Sequence, residues 1–433
     1  MNQTVPTDSL VLVTGANGFV GRAVTTALQQ AGYRVRTLVR HTSMPEGIEE
    51  VCGDINDADA VALAVQGTDV VIHLAARKSD ECDSALVNTE GARLLVECCK
   101  KNGIRRIINV STQSVRLRKL GIYGQTKLVA EKIFAQSGLP MITLRPSVVY
   151  DDHGGGIFST IFSFLKLPVV PMIGNGAIHF RPIHRDDLAA IIVQALSKGS
   201  GDVMYDVGGP DSVSLMELTC ELQGRLGIQK RILKIPLPIA MCIARMTAWM
   251  PKPPVTVSNV LGATEDLTMN IDPMLRDFGM TPRSMTAGLD AILTRVAEEQ
   301  KRQEATAILR YAFSTFGNWQ PSAVEIDRYR EALVVNGIES HPLDESVIQK
   351  RWLLGACDAV ASQSSMLRKK ILIASAIGEC SPSTADFTLP KNTSVLRIIV
   401  VSMHMTLRAA AKKMVGLLLT LFSPSFIRRN AGR

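Results

Sequence analysis

Apolar residues fill Val11–Val13, give way to glycines at 15, 18 and 21, and resume at Val20, Val24, Ala27 and Leu28 with helical spacing. That pattern predicts a buried strand, a tight turn and a helix. Gly32–Tyr33 ends the helix, and Arg34–Val39 reads as a second strand. After Gly53–Asp54–Ile55 come a helix from about Asp57 to Val65, a third strand over Asp69–Leu74, a helix over about Asn88–Lys100 and a strand over Ile107–Val110. Further on, Gly154–Gly156 and Gly174–Asn175–Gly176 mark loops, Ser159–Leu165 a helix, and 203–207 and 231–235 short strands. Pro236–Met250 reads as an apolar helix that starts on proline and carries Arg245. In the last third, Ser322 with Glu325 forms a capping box for a helix to about Asn336, which Gly337 stops. Asp344–Ala361 and Ser364–Ile377 read as two more helices, and 381–394 as a linker rich in Ser, Pro and Thr. A final helix over about Ser394–Leu421 keeps apolar residues at 396, 399, 400, 403, 407, 410, 414, 417, 418 and 421.

The glycine turn is the first chemical signal. Glycine permits the sharp turn, and the free N–H groups and dipole of a helix N-terminus favour a pyrophosphate. Many dinucleotide folds place an acid about 20 residues further on, for the ribose 2′-OH. Here the strand ends in Arg40, His41, Thr42 and Ser43, which welcomes a 2′-phosphate and favours NADP over NAD. The plainer reading leaves Arg40 solvated. Asp54 suits either the adenine amino group or the cap of a turn. Tyr123 and Lys127 stand four apart, on one face of a helix. An ammonium beside a phenol favours the phenolate, so the tyrosine can exchange a proton. A hydroxyl of Ser111 or Thr112, at a strand end, can hold a substrate oxygen.

These motifs together resemble the extended short-chain dehydrogenase/reductase family, of the nucleotide-sugar epimerase and dehydratase type. The resemblance rests on TGANGFVG (14–21), GDI (53–55), HLAA (73–76), Asn88 with Gly91, VST (110–112), YGQTK (123–127), RPSVVY (145–150) and HRDDLA (184–189), in the family's order over roughly residues 9–295. It implies an α/β fold: a Rossmann-type doubly wound parallel sheet with a small substrate-capping region, here followed by an α-helical C-terminal extension. It implies catalysis by Thr112, Tyr123 and Lys127, with Tyr123 the acid/base and Lys127 lowering its pKa and holding the nicotinamide ribose. It implies cofactor contacts at Gly15, Asn17, Gly18, Phe19, Val20, Gly21, Arg40, Asp54 and Ile55. Leu74, Ala75, Ala76 and Asn88 would line the crevice with Tyr123 and Lys127, and Pro146 and Val148 its nicotinamide end. Substrate contacts would fall to Ser111, Thr112 and Arg181.

The chain also departs from the family. The loop between Thr112 and Tyr123 is short and carries Arg116, Arg118 and Lys119. Residue 151 is aspartate where a glycine often follows. The arginine that grips a diphosphate would stand four residues before His184, where this chain has Phe180; Arg181 is one step off, which in a strand turns it to the other face. A dehydratase would usually place an Asp–Glu pair after the catalytic threonine, and Gln113–Ser114 stand there instead.

Composition supports a folded chain with ample core: 433 residues, 46% hydrophobic and 20% charged. The eight cysteines show no metal spacing, and no His/Cys/carboxylate cluster points to a metal. With no signal peptide read at Met1–Val11, the expected compartment is the reducing cytoplasm. Three segments follow: 1–299, the cofactor and substrate part; 300–390, a helical extension; and 391–433, a basic amphipathic tail. Residues 300–433 hold 18 Lys and Arg against 10 Asp and Glu, and from Lys391 onward there are eight bases and no acid. The tail fits either peripheral attachment to an anionic membrane surface or packing on its own domain, with nucleic acid disfavoured for want of any binding module. A homodimer is compatible with the sequence.

Three functions compete. The first is an NAD(P)-dependent oxidoreductase or epimerase acting on a carbinol or keto carbon of a sugar-nucleotide-like substrate. The second is an NADPH-dependent ketone reductase of a small or lipid-like substrate, supported by Arg40, the missing diphosphate arginine and the apolar 236–250 helix. The third, a non-catalytic NADP(H)-binding subunit, has no need of the intact Thr112, Tyr123 and Lys127.

Overall fold

The computed structural model describes residues 5–379 apart from 42–43, 78–85, 152–156, 198–202, 251–254, 267, 314–319, 339–342 and 362–364, together with Leu407, Ala410, Ala411 and Met414. Thr42, Ser43, the 154–156 glycines and almost all of the 381–433 linker and tail thus lie outside the described residues. The chain divides into two compact units, Met1–Ile292 and Leu293–Arg433.

In the first unit, β1 (Leu10–Thr14), β2 (Arg34–Val39), β3 (Glu49–Cys52), β4 (Val70–His73), β5 (Arg106–Val110), β6 (Met141–Pro146) and β11 (Val203–Val207) form one seven-stranded sheet in the order β11-β6-β5-β4-β1-β2-β3. Every neighbouring pair in it is parallel. Parallel strands buried on both faces read as continuous apolar runs, which is why LVLVT carries no polar alternation. Val11 and Val13 enter a core with Val24, Leu28 and Ile191 on one face. Leu12 enters a second core with Val61, Leu95 and Phe134 on the other. The helices Phe19–Gln30, Ala58–Val65, Gly91–Lys101, Ile122–Ala135 and Arg185–Gln194 supply those layers.

Smaller pairs complete the unit: β7 (Val149–Tyr150) with β10 (Ile183–His184), β9 (His179–Phe180) with β12 (Val213–Ser214), and β8 (Val170–Ile173) with β13 (Ile232–Ile235). The helix expected over Pro236–Met250 spans Leu237–Met246, with Pro236 as its N-cap. The helix expected from Asn88 begins at Gly91, because Leu86–Glu90 forms a π-turn first.

In the second unit, Ser322 caps Ala323–Val335 in a full capping box with Glu325, and Gly337 adopts φ +63°. The segment 344–361 is two helices, Glu345–Gln349 and Arg351–Val360, because Lys350 is extended. No glycine or proline marks that break, so the local sequence gives no sign of it. Met366–Glu379 is the last described helix, and its core holds Leu309, Tyr329, Val347, Leu354 and Leu367. The division at residue 292 falls inside a single helix, Met285–Phe313, seven residues before the sequence boundary at 299, because nothing in that stretch breaks a helix. Among the described residues no helix is long and apolar enough to cross a membrane.

Candidate active site

The glycine turn is built by close approach. Gly15 adopts φ +75°, and a Cβ there would lie 2.6 Å from the Ala75 nitrogen. Gly18 N–H donates to the Gly15 carbonyl at 3.0 Å, and a Cβ at Gly21 would lie 2.2 Å from the same oxygen. The helix that follows has Gly18 as N-cap, no side-chain cap and no acid in its first turn. Other helices are capped by the side chains of Asp57, Ser214 and Ser322. A helix N-terminus left uncapped beside a glycine cradle suits an anion such as a pyrophosphate. Asn17 braces the turn by donating to the His41 carbonyl at 3.2 Å. Phe19 is partly exposed, and the Arg185 guanidinium lies 5.5 Å from its ring centre. Asp151 holds that guanidinium at 2.9 Å, so the aspartate that departs from the family pattern anchors a cation beside the turn. Val20 is half-buried against the core.

Other cofactor candidates line up less evenly. Arg40 is exposed at the end of β2, where a 2′-phosphate would lie. Asp54 accepts from the Asn56 N–H at 3.0 Å, which is the turn-capping alternative. Ile55 is buried and packs so closely that a Cβ at Gly91 would meet it at 2.9 Å. Leu74 and Ala75 are half-buried and Ala76 exposed beyond β4. Asn88 is buried; its oxygen accepts from the Arg77 N–H at 2.8 Å, and its nitrogen donates to Thr126 Oγ1 at 2.9 Å. The amide thus ties the chain after β4 to the Tyr123 helix. Pro146 is buried and Val148 half-buried; the Val148 carbonyl accepts from Ile183 N–H.

The catalytic candidates converge. Thr112 caps the short 3₁₀ turn Gln113–Arg116, accepting from Ser114 N–H at 3.2 Å. Its side chain is close enough to Tyr123 to favour the phenolate. The hydroxyl of Ser111 is buried without a partner, a polar atom available to a ligand. The expected lowering of the Tyr123 pKa by Lys127 is corrected by the structure. Burial pushes the phenol up to about 12, against a lowering from Thr112. Lys127 Nζ donates instead to the Val110 carbonyl at 2.8 Å. Burial drives its own pKa down to about 8, opposed by Glu131. His73 is buried, joined to Thr14 Oγ1 at 2.9 Å, and held neutral by desolvation and Lys127, its pKa falling to about 3.

Sequence reasoning missed the scaffold behind this trio. Asp206, at the end of β11, accepts from Gln113 Nε2 at 2.9 Å and from Arg116 at 2.6 Å. It also accepts from Asn270 N–H at 3.3 Å. Arg118 pairs with Glu265 at 3.6 Å, so both arginines of the basic loop already face carboxylates. Arg181 lines a groove of about 260 Å³ with His179, Phe180, Ser212, Asp266 and Met269. Its guanidinium donates to the carbonyls of Gly209 and Pro210. These pairings cross 28 to 147 residues of sequence, which no local pattern reports.

Sheet order and glycine cradle are those of an NAD(P)-binding domain of the extended short-chain dehydrogenase/reductase type. Residues 11–208 match the model of the NAD dependent epimerase/dehydratase family. The chain is 33% identical over 200 residues to a 3 beta-hydroxysteroid dehydrogenase/Delta 5→4-isomerase of Mycobacterium tuberculosis, covering 38% of this chain and 54% of that one. The match thus spans about half the length of that relative. It is 29% identical over 254 residues to a ceramide reductase of Caulobacter vibrioides, covering 55% of this chain and 78% of the other. In fold it is similar to a dTDP-glucose 4,6-dehydratase of Streptomyces venezuelae solved with NAD, at TM-score 0.55 and 22% identity, covering 67% and 97%.

Proposed function

We propose that this protein is an NADPH-dependent reductase of a ketone on a lipid-like substrate. The observation that carries the reading is the buried, unpartnered Ser111 hydroxyl next to Thr112, whose side chain acts on the Tyr123 phenol. A protonated phenol is a general acid, matched to carbonyl reduction. The dinucleotide, bound with its pyrophosphate at the glycine turn, supplies hydride chemistry at the nicotinamide. Thr112 and the unpartnered Ser111 hydroxyl orient the carbonyl oxygen, and Tyr123 gives it a proton as the alcohol forms. Lys127, with its pKa near 8, stands four residues along the same helix and donates to the Val110 carbonyl. Arg40 would contact the 2′-phosphate.

The substrate class rests on cations. Arg181 is engaged by two carbonyls, Arg116 by Asp206 and Arg118 by Glu265, so none of the three arginines is aimed at a diphosphate. The hydroxysteroid and ceramide enzymes among the relatives carry names of the same kind of substrate. A second reading, a nucleotide-sugar epimerase or oxidoreductase, draws on the fold shared with the dTDP-glucose dehydratase. The test incubates the full chain and Tyr123→Phe with NADPH or NADH and, separately, a 3-ketosteroid, a long-chain keto-sphingoid and dTDP-glucose. Ketone-dependent NADPH oxidation that Tyr123→Phe lacks supports the reductase. Conversion of dTDP-glucose without net cofactor oxidation overturns it in favour of the epimerase, and no turnover of any ketone removes it.

A further inference from the structure

We propose that the face formed by Leu233, Lys234, the helix Leu237–Met246 and Trp249 docks on an anionic lipid bilayer. Ile239, Cys242, Met246 and Trp249 recur at steps of three, four and three residues, which sets them on one side of the helical path. Ile239 is 53% exposed, Met246 70% and Trp249 81%. Ala240 and Ala244, on the opposite side, are buried in a small core with Val260. One side of the helix is therefore packed within the protein, and the other is apolar and open to solvent. Leu233 on β13 is also exposed.

The charge around this face identifies the partner. From Leu222 to Thr264 the sequence has no Asp or Glu and six Lys and Arg. Two of the six are engaged: Arg225 with Glu221 at 2.6 Å, and Lys230 with the Leu167 carbonyl at 3.0 Å. Arg231, Lys234 and Arg245 are exposed beside the apolar strip. An apolar strip with a tryptophan, edged by cations and carried on a segment without carboxylates, matches the layers of a lipid interface. Acyl chains would meet Ile239 and Met246, the headgroup level Trp249, and lipid phosphates the three bases. Ten helical residues span about 15 Å, enough to lie in the interface and too few to cross it. This proposal does not rest on the substrate reading, and it concerns residues distinct from the basic tail.

The chain has three tryptophans, Trp249, Trp319 and Trp352, so the probe is the full chain carrying Trp319→Phe/Trp352→Phe, in which Trp249 alone reports on this face. This single-tryptophan chain is mixed with vesicles of brominated phosphatidylcholine, with or without phosphatidylglycerol, and tryptophan quenching is followed with vesicle sedimentation. Expected is quenching that requires the anionic lipid and weakens with salt. Ile239→Glu/Met246→Glu should weaken sedimentation about tenfold or more, the scale of burying a large apolar side chain, while NADPH binding stays unchanged. No quenching of Trp249 in either lipid, or equal quenching with and without the anionic lipid, overturns the proposal. So does a dimer of the free chain that Ile239→Glu/Met246→Glu dissociates, because a second copy then covers the face.

Discussion

Lys127 in the first unit and Lys370 in the second are both withdrawn from water, at 2% and 1% exposure, yet they are stabilised in different ways. Lys370 Nζ lies 2.7 Å from the Glu304 carboxylate, which is itself buried. Lys127 Nζ has the Val110 carbonyl, while Glu131, one helical turn away, is held by Arg145 through two bonds of 2.9 and 2.6 Å. Burial raises the Glu304 carboxyl and Lys370 pulls it back. Burial lowers Lys127 toward neutrality with weaker opposition. A buried cation matched by a carboxylate fixes a fold. A buried cation matched by a carbonyl stays titratable and is the one suited to chemistry.

The contrast is broken or sharpened by four experiments, the largest effect first. Tyr123→Phe should lower ketone turnover by about 10²–10⁴ with NADPH affinity little changed; full turnover would remove the acid role beside Lys127. Lys370→Met should leave Glu304 buried and unpaired and cost the second unit about 3–5 kcal/mol, read by urea denaturation. Lys370→Met/Glu304→Leu should recover most of that loss, which a purely packing role for the lysine would not allow.

Lys127→Met should behave oppositely at neutral pH and stabilise. Below pH 8 Lys127 is protonated in folded and unfolded chains alike, and burial penalises the folded one. As pH rises from about 8 to the ordinary lysine value, the unfolded chain holds more protons, so wild-type stability rises. The rise relative to Lys127→Met should approach about 3 kcal/mol, and a flat difference would remove the titratable lysine. The smallest effect is Arg40→Asp, which should shift preference from NADPH toward NADH by about tenfold or more, as loss of a charge-assisted contact implies. An unchanged ratio in cofactor titrations would remove the NADP reading.

Much of this was legible in sequence because it is local. The glycine turn, the strand Val11–Val13 and the Ser322–Glu325 box each declare themselves within a dozen residues, and the backbone obeys. Thr112 and Tyr123 were legible as residue types, and a family resemblance supplied their roles. The electrostatics of the site were not. The expectation of an easily ionised Tyr123 treated Lys127 as its neighbour, but burial outweighs that influence and the ammonium turns to Val110. Arg181 was illegible for a related reason, since its partners are backbone carbonyls 28 and 29 residues away. The extended Lys350 shows tertiary packing deciding where local preference is weak.

The Asp206 carboxylate joins segments that are far apart in sequence, the 113–116 turn and the chain at Asn270. In evolutionary terms it is a pleiotropic position: one substitution there would be felt at once in the turn that presents Thr112 and in the stretch leading to the Asp272–Phe278 helix. Selection for a new substrate would meet that constraint early. A mutational library that varies the groove around Arg181 and Ser212 while leaving Asp206 fixed should return more functional variants than one that samples all three.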